Sequence, residues 1–268
     1  MRRIAFIGVG NMANAIIGGL LRSGAVDCPH LILSDKFPDK CGDYVADGAT
    51  LAASPAEAAA QADCIVLSVK PQNFPEILPE LAAVEGIEKK LIITIAAGIT
   101  VDTVKTALHN APTVRVLPNT PMLIGMGVSV ICRAPDVAPA DFAFVQTMFE
   151  ASGTVTVIDE VEMNRIISVT SSSPAYVFAF IDAIRQGAIA QGMDGDAMLA
   201  NICDVVIGAA TLLKSGNLTP AEQISMVTSK GGTTEQAMRV LRERNLTDTV
   251  VEAMKACTAR AEEMSRTM

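Results

Sequence analysis

The chain has 268 residues, half of them apolar, with 21 basic against 29 acidic side chains and a formal net charge of −8. This length suffices for two domains of ordinary size, and the apolar fraction can supply a large core or an extensive subunit interface. The acidic balance without a long Lys/Arg cluster argues against nucleic acid and anionic membrane as partners. No uninterrupted apolar run has the length that spans a bilayer.

The cysteines and histidines predict no metal site and a reducing compartment. No two cysteines form a Cys-x-x-Cys pair, and only two histidines are present, so we expect no bound metal ion. Scattered cysteines in a chain of this size are typical of a reducing cytosol, which predicts a cytoplasmic protein. The six are Cys28, Cys41, Cys64, Cys132, Cys203 and Cys257.

The first predicted element is a short strand that runs directly into a glycine-rich turn. The apolar residues 4–7 precede Gly8-x-Gly10-x-x-Ala13, and a helical pattern follows. Gly8 permits the tight turn, Gly10 lets the backbone approach a pyrophosphate, and the small Ala13 lets the helix lie close to the strand. The helix N-terminus presents free N–H groups and the positive dipole end to the phosphates. The turn therefore predicts a dinucleotide-binding unit of the Rossmann type.

The second predicted strand, residues 31–34, ends in two side chains of opposite sign. Asp35 lies 22 residues beyond Ala13, about where a Rossmann unit places its ribose-binding acid. Asp35 would accept hydrogen bonds from ribose hydroxyls and repel a 2′-phosphate, whereas Lys36 would attract that phosphate. A solvated turn without any cofactor contact is the alternative interpretation of both residues.

Two further predicted strands end in segments that suit a cofactor. The run 64–69 ends at Lys70, and the run 91–95 ends in the small residues 96–98. Because open α/β sheets bind ligands beyond the carboxyl ends of their strands, we expect Lys70 to meet the cofactor and the small residues to leave room for a flat ring. The candidate cofactor-binding residues are Ile7, Gly8, Val9, Gly10, Asn11, Met12, Ser34, Asp35, Lys36, Ser68, Val69, Lys70, Pro71, Ile95, Ala96 and Ala97.

Strand and helix patterns continue to alternate up to about residue 160. In chain order they predict a helix after Ser54, a helix at Thr100, strands at 113–117, 128–131 and 154–157, and a helix at 139–151 between the last two strands. Beyond Val161 only helical patterns are found. Ser173 is the expected cap of a helix with Pro174 in its first turn, and residues 219–222 form a capping box for another.

This order of elements predicts two domains. Residues 1–160 read as an α/β Rossmann domain with a mostly parallel sheet, and residues 161–268 read as an all-α domain. The apolar content of the later helices exceeds what one amphipathic face needs. Burial between two subunits would explain that excess, and a well-packed monomer is the alternative.

A second informative segment is the loop at residues 226–236. Two adjacent glycines, Gly231 and Gly232, leave the backbone N–H groups unobstructed, and Thr233 and Gln236 have the spacing of a capping box. Such a loop can hold a carboxylate, with Ser229, Thr233 and Thr234 adding hydroxyl hydrogen bonds. A plain turn between two helices would serve equally well by these criteria.

The whole chain resembles the pyrroline-5-carboxylate reductases, and the matching segments run from end to end. The segment at 227–234 is the most specific of them. The segments are Ile7-Gly8-Val9-Gly10-Asn11-Met12, Val69-Lys70-Pro71-Gln72, Ala96-Ala97-Gly98, Pro118-Asn119-Thr120-Pro121, Pro174-Ala175-Tyr176-Val177-Phe178 and Val227-Thr228-Ser229-Lys230-Gly231-Gly232-Thr233-Thr234.

The resemblance implies an NAD(P)H-dependent oxidoreductase that reduces (S)-1-pyrroline-5-carboxylate to L-proline, the last step of proline synthesis. NADPH is the expected cofactor and NADH the alternative. The helical domain would dimerise by interleaving helices, giving a homodimer or a larger homo-oligomer such as a decamer. The substrate carboxylate would lie against Ser229, Gly231, Gly232 and Thr233, and Thr234 would hydrogen-bond near the ring nitrogen as the catalytic residue.

This chain departs from the family pattern at three places. The segment 170–173 reads Thr-Ser-Ser-Ser where relatives usually have Ser-Gly-Ser-Gly, which adds bulk at a helix start. Asp35-Lys36 stands where many relatives have Asn-Arg, so phosphate selectivity is an open question. Lys230 replaces a frequent proline and adds positive charge near the expected carboxylate.

No strong catalytic acid is evident in the sequence, because His30 and His109 fall at peripheral positions. A cyclic imine nitrogen is basic enough to be substantially protonated near neutral pH, so alignment of hydride donor and acceptor carbon is the main requirement. The nearest alternative is a related reductase for another imine or a β-hydroxy acid. A hydroxy-acid enzyme would need a lysine base at residues 163–165, which offer none. A non-catalytic nucleotide-binding sensor is the third possibility.

Overall fold

The computed structural model describes residues 1–133 and 135–267. Within them the chain forms eight strands and twelve α-helices, connected by short 3₁₀ turns. The strands are β1 (Ile4–Ile7), β2 (Leu31–Ser34), β3 (Thr50–Leu51), β4 (Cys64–Leu67), β5 (Leu91–Thr94), β6 (Thr113–Leu117), β7 (Gly127–Arg133) and β8 (Gly153–Val157). The helices are α1 (Asn11–Ser23), α2 (Gly42–Ala46), α3 (Pro55–Ala60), α4 (Phe74–Ala82), α5 (Val101–Ala107), α6 (Pro139–Glu150), α7 (Glu160–Ile166), α8 (Ser173–Ala190), α9 (Leu199–Ser215), α10 (Pro220–Met226), α11 (Thr233–Glu243) and α12 (Leu246–Thr267).

The strands form one mostly parallel sheet, as the sequence predicts. Their order is β3-β2-β1-β4-β5-β6-β7-β8; the first six are parallel, β7 is antiparallel to β6, and β8 is parallel to β7. The first six strands have the 3-2-1-4-5-6 order of a doubly wound dinucleotide-binding fold. Strand β3 was not predicted, because two residues are too few to show a period.

Helices cover both faces of the sheet. Along β1, Ile4 and Phe6 face one apolar core while Ala5 and Ile7 face the other, as the two-residue period of a strand requires. Helices α1 and α6 contribute to the first core, and α3, α4 and α5 contribute to the second. Burial on both faces is why these strands read as continuous apolar runs.

Two predicted helix caps, at Ser54 and Thr219, are confirmed, and the helix predicted to start at Thr100 is capped by that residue. The hydroxyls of Ser54, Thr100 and Thr219 each accept a hydrogen bond from the backbone N–H three residues further on. At Thr219 the carboxylate of Glu222 also accepts from the backbone N–H of Thr219, 2.7 Å, which completes the predicted capping box.

The predicted helix is present with Pro174 in its first turn, but the predicted cap at Ser173 is wrong. Helix α7 continues through a π-helical turn, Ile167–Ser171, and Ser173 is the first residue of α8 rather than its cap. In this turn the N–H of Ser172 donates to the carbonyl of Ile167, five residues back, at 2.9 Å. The α-helical bond from residue 174 to the carbonyl of Thr170 cannot form, because Pro174 has no N–H. The irregular turn falls where the regular ladder is interrupted.

The described chain divides into two compact units, one made of residues 1–174 with 256–267 and the other of residues 175–255. The predicted boundary near residue 160 stays a prediction. The second unit is entirely helical in its regular structure and exposes many large apolar side chains, for example Phe178 (62 % exposed) and Val205 (68 % exposed).

By length and composition alone, one continuous helical stretch, residues 160–190, could cross a membrane. Polar residues at 168 and 170–173 and charged residues at both ends interrupt this stretch, so no uninterrupted apolar run is visible in the sequence. A core helix of a protein that does not span a membrane passes the same test.

Candidate functional site

The strand register brings the predicted cofactor segments to one edge of the sheet. Ile7 pairs with Ser34 on one side and with Leu67 on the other, and Leu67 pairs with Thr94. The segments that follow β2, β1, β4 and β5 therefore leave adjacent strands at the same carboxyl edge. The strand order reverses between β1 and β4, which is where such sheets bind their ligands.

A cleft of about 630 Å³ opens at this edge of the first unit. Nine of the predicted cofactor-binding residues line this cleft: Ile7, Gly8, Gly10, Ser34, Asp35, Lys36, Ser68, Val69 and Lys70. The other predicted cofactor residues do not line it; they are Val9, Asn11, Met12, Pro71, Ile95, Ala96 and Ala97. The lining also includes Phe37, Lys40, Gln72, Asn73, Glu76 and Glu80, which were not predicted.

Gly8 closes the turn between β1 and α1. Its φ of +93° lies in the left-handed region, and a Cβ there would stand 2.8 Å from a Val69 methyl group. The hydroxyl of Ser68 donates to the carbonyl of Gly8 at 2.6 Å, which ties the turn to the end of β4. Gly8 is therefore required by the backbone conformation and by the close approach of the next strand.

Gly10 meets open space instead. A Cβ built on Gly10 would have no atom within 4 Å, and Gly10 is the N-cap of the 13-residue helix α1. The uncapped N–H groups of that helix and its positive dipole end lie beside the cleft, which suits a pyrophosphate. The space in front of this helix N-terminus is therefore free of side chains near Gly10, and its use by a diphosphate stays a prediction.

Asp35 makes contacts that its sequence position did not predict. Its Oδ2 accepts a hydrogen bond from the N–H of Val9 at 2.7 Å, and its Oδ1 accepts one from the N–H of Phe37 at 2.8 Å. Its side chain is only 9 % exposed, so the interpretation as a solvated turn does not describe Asp35. Lys36 next to it is exposed. The carboxylate holds the glycine-rich turn against the end of β2.

The small residues after β5 have a packing role in addition to the predicted one. A Cβ on Gly98 would stand 2.6 Å from the Cβ of Met264 in α12, and the φ of Gly98 is +78°. The last helix therefore occupies the space beside Gly98. Room for a flat ring beside Ala96 and Ala97 stays a prediction.

An asparagine that was not singled out for a role of its own links the end of β6 to the π turn. Asn119 is 6 % exposed, and its Nδ2 donates to the carbonyl of Thr170 at 3.0 Å while its Oδ1 accepts from the N–H of Val128 at 2.9 Å. The carbonyl of Thr170 is the one that Pro174 leaves without its α-helical donor. The four-residue spacing between Thr170 and Pro174 is the sequence signal that could have predicted a carbonyl in need of another donor.

The loop at residues 226–236 lies in the second unit, and its predicted capping box is wrong. The N-cap of α11 is Gly232, so Thr233 is the first helical residue. Glu235, not Gln236, reaches back, and its Oε2 accepts from the N–H of Gly231 at 2.9 Å. Gly231 has φ +74°, which favours glycine and allows this tight loop.

Of the predicted substrate-binding residues in this loop, Ser229, Gly231 and Thr233 are exposed, and Gly232 and Thr234 are half-buried. The N–H of Gly232 donates to the carbonyl of Ser229 at 3.0 Å, which closes the loop on itself. The loop therefore presents the start of α11 with its first hydroxyls accessible.

A buried arginine organises the region where a hydroxy-acid enzyme would need a base. Arg115 is 1 % exposed; its Nη2 donates to Asn164 Oδ1 at 2.7 Å, and its Nη1 lies 3.5 Å from Glu160 Oε1. Burial lowers the pKa of Arg115, and the adjacent Glu160 opposes that shift. Asn164 also donates to Ser265 at 3.0 Å, so it serves a structural network and offers no base.

Within the residues that the structure describes, no group of three or more His, Cys, Asp or Glu side chains is arranged to hold a metal ion. The imidazole of His30 contacts the carboxylate of Asp27, and that of His109 lies 3.1 Å from the carbonyl of Ala82. Neither histidine lines the cleft.

Comparison with known proteins supports the family resemblance over the whole chain. The family model described as "Pyrroline-5-carboxylate reductase dimerisation" matches residues 160–264, and the model described as "NADP oxidoreductase coenzyme F420-dependent" matches residues 3–98. The chain is 37 % identical to a pyrroline-5-carboxylate reductase of Vibrio alginolyticus over 99 % of this chain and 98 % of that protein.

Solved structures agree with this result. The 1-pyrroline-5-carboxylate reductase of Streptococcus pyogenes superposes with a TM-score of 0.89 at 28 % identity, covering 98 % of both chains. The pyrroline carboxylate reductase of Plasmodium falciparum, solved with NADP bound, superposes with a TM-score of 0.91, also over 98 % of both chains. At 22 % identity the latter shows the fold alone.

Proposed function

Because this chain belongs to the pyrroline-5-carboxylate reductase family, we infer that it reduces 1-pyrroline-5-carboxylate to L-proline with NADPH. The structural observation that best supports this function is the open space at Gly10, in front of the uncapped N-terminus of α1. A glycine-rich turn at the switch point of a doubly wound sheet is where a dinucleotide places its diphosphate.

The residues of this chain would hold the cofactor in a defined way. The backbone of the Gly8–Gly10 turn and the first N–H groups of α1 would bind the diphosphate, and the ends of β2, β4 and β5 would contact the remainder. When bound, NADPH supplies the hydride that forms the new C–H bond at the imine carbon, and the C=N π pair becomes the nitrogen lone pair. The protein's contribution is alignment and exclusion of water, since the protonated imine is itself the electrophile.

The loop before α11 is the proposed site for the substrate. Its free backbone N–H groups at a helix N-terminus suit a carboxylate, and Lys230 adds positive charge nearby. The carboxylate of Glu235 already accepts from Gly231, so the substrate would bind the N–H groups of the first turn of α11 beside it. We propose that Ser229 and Thr233 bind the carboxylate and that Thr234 lies near the ring nitrogen. The N–H groups of Gly231 and Gly232 are engaged by Glu235 and by the carbonyl of Ser229, so these two glycines would contribute to the site by leaving the backbone beside the carboxylate unobstructed.

The test is a rate assay on purified protein with NADPH and 1-pyrroline-5-carboxylate, combined with detection of L-proline. Thr234→Ala should slow turnover by about tenfold to a hundredfold, since one hydrogen bond to a charged group contributes about 1.5–3 kcal/mol. NADPH affinity should be unchanged in this variant. Thr249→Ala, which removes an α12 hydroxyl that donates to the carbonyl of Asn245 just before the helix, is the matched control and should retain the full rate.

Thermal unfolding of the same variants separates the two explanations for Thr234. A Thr234→Ala protein that melts earlier but keeps its rate and substrate affinity would make Thr234 a structural residue of the helix start. No oxidation of NADPH by the wild-type protein with this substrate would overturn the proposed function itself.

We further propose that the protein is a cytoplasmic homodimer, or a larger assembly built from that dimer, with no membrane or nucleic-acid partner. Support for the dimer comes from the match of residues 160–264 to a dimerisation domain and from the exposed apolar side chains of the second unit. Covering those side chains with a second copy would also account for the apolar helix at 160–190 without a bilayer.

A further inference from the structure

We propose that a second cleft, at the ends of β7 and β8, binds a small zwitterion, that is, a molecule such as an amino acid that carries both an ammonium and a carboxylate group. The cleft has a volume of about 610 Å³ and lies in the first unit. Its lining includes the charged residues Arg133, Asp159 and Glu160 and the apolar side chains of Phe142 and Val157. The site is separate from the cofactor cleft, and it does not rest on the proposed function.

The strand register places this zwitterion cleft at the opposite edge of the sheet from the cofactor cleft. Strand β7 is antiparallel to β6, and Arg133 at its end pairs with Val114 near the beginning of β6. Strand β8 is parallel to β7, so its last residue, Val157, lies at the same edge. Among the described residues none lines both clefts. A ligand bound here would therefore not compete with a dinucleotide at the carboxyl ends of β1, β2 and β4.

Arg133 supplies the positive group of the zwitterion cleft. Its Cζ lies 5.1 Å from the centre of the Phe142 ring, and Phe142 is 8 % exposed, so a buried aromatic ring supports an exposed cation. A guanidinium group that stacks on a ring keeps its N–H donors at the edge of its own plane. Two of these donors can bind both oxygens of a ligand carboxylate.

Asp159 and Glu160 supply the negative groups. The carboxylate of Asp159 does not cap α7, and within the part of the chain that the structure describes it has no hydrogen-bond or ion-pair partner. Glu160 Oε1 accepts from the N–H of Val101 at 2.7 Å and lies 3.5 Å from Arg115 Nη1. The Glu160 side chain is nevertheless 35 % exposed, so part of its carboxylate faces the cleft. Both carboxylates can accept hydrogen bonds from a ligand ammonium group.

The opposite charges of this cleft are not paired with each other. No ion pair joins Arg133 to Asp159 or to Glu160 in the described chain. A simple anion would meet two repelling carboxylates, and a simple cation would meet the repelling guanidinium group. A zwitterion instead places a complementary charge against each of them. The apolar surfaces of Phe142 and Val157 suit the hydrocarbon part of such a ligand.

Titration of the full-length protein with ω-amino acids of increasing length tests both the charge and the spacing. The series is glycine, 4-aminobutyrate and 6-aminohexanoate, and isothermal titration calorimetry measures each affinity. We expect at least one member to bind with a Kd on the order of 1 mM. Hexanoate and hexylamine, which each lack one of the two charges, should bind at least about fivefold more weakly than that member. Saturating NADPH should leave its affinity unchanged, because the two clefts lie at opposite edges of the sheet.

Four variants assign the binding to this cleft. Arg133→Gln and Asp159→Asn each remove one charge from an exposed lining residue and should each weaken the best-binding member by at least about fivefold. Arg22→Gln and Asp47→Asn make the same changes at exposed residues outside the cleft and should leave the affinity unchanged. Thermal unfolding of all four proteins shows that any loss of binding is not a loss of folding.

Three results would overturn the zwitterion site. The first is a series in which no member binds with a Kd below about 10 mM. The second is binding that Arg133→Gln or Asp159→Asn leaves at the wild-type affinity, or that hexanoate or hexylamine reproduces. The third is loss of binding on addition of NADPH, which would place the ligand in the cofactor cleft. None of these results bears on reduction of 1-pyrroline-5-carboxylate, which the rate assay tests separately.

Discussion

At the scale of single residues, the two glycines of the first turn have different requirements. Gly8 is fixed by its φ of +93° and by the 2.8 Å approach of Val69, so the folded backbone itself demands glycine. Gly10 has ordinary backbone angles, φ −92° and ψ −174°, and open space around it. In the protein without ligand, a Cβ at this position would have no neighbouring atom within 4 Å. The requirement at Gly10 therefore comes from what binds.

This difference predicts opposite behaviour of two variants. Gly10→Val should fold with an unchanged melting temperature and bind NADPH at least about thirtyfold more weakly, equivalent to about 2 kcal/mol. Gly8→Ala should lose at least about 1–2 kcal/mol of folding stability because of its left-handed conformation. Circular dichroism melts and fluorescence titration of NADPH measure both. A Gly10→Val protein with wild-type affinity would show that the diphosphate lies elsewhere.

At the scale of elements, the junction of β6, the π turn and α8 depends on the backbone carbonyl of Thr170, which accepts its hydrogen bond from outside the helix. Pro174 withdraws the donor that the carbonyl of Thr170 would have in an α-helix, and Asn119 supplies another from the end of β6. The hydroxyl of Ser173 lies at 3.5 Å from the same carbonyl. The junction therefore combines a local irregularity of the helix with a long-range contact that holds it against the sheet.

A double-mutant cycle tests this coupling. Asn119→Asp keeps the oxygen that accepts from Val128 but loses the donor to Thr170, and we expect a loss of about 1–3 kcal/mol. Pro174→Ala restores an N–H that can donate to the carbonyl of Thr170. Asn119→Asp should therefore lower the stability less in the Pro174→Ala background than in the wild-type background. Urea unfolding of the four proteins gives the coupling energy. Additive effects would contradict a shared role at the Thr170 carbonyl.

At the scale of the whole molecule, the second unit exposes apolar side chains that water would not favour. Val205 on α9 is 68 % exposed in the protomer and lies within the segment that matches the dimerisation domain. Val205→Glu should therefore dissociate the assembly, because burying an unpaired charge costs about 3–5 kcal/mol. Light scattering across protein concentrations measures this. Lys89→Glu, in the first unit, is the control and should leave the mass unchanged, whereas an assembled Val205→Glu protein would contradict the proposed interface.

Much of this fold could be predicted from the sequence because its signals are local. Buried parallel strands read as apolar runs, and the caps at Ser54, Thr100 and Thr219 are set by residues three positions apart. The misreadings arose where a distant group or a competing neighbour decides. Ser173 could not cap α8 because the helix already continues from α7, and Glu235 competed successfully with Gln236.

The candidate site shows the same limit. The positions of the strand ends follow from the sheet order, so Gly8, Gly10 and Lys70 lie along one cleft, and their contact with the cofactor stays a prediction. The orientation of Asp35 does not follow, since it depends on which N–H groups of Val9 and Phe37 come within reach after folding. Lys40 went unnoticed because its contact with Asp35 joins residues five positions apart in a short irregular turn.

The last helix has a consequence for how this chain is made. Residues 256–267 belong to the first compact unit, where Ala261 is 4 % exposed, Met264 covers Gly98 and Ser265 bonds Asn164. The ribosome therefore synthesises all eight strands and then the whole second unit, residues 175–255, before the segment 256–267 that completes the core of the first unit. Until α12 is synthesised, the surface of the first unit around Gly98 and Asn164 stays uncovered. Truncation of the last residues should therefore destabilise the N-terminal sheet domain.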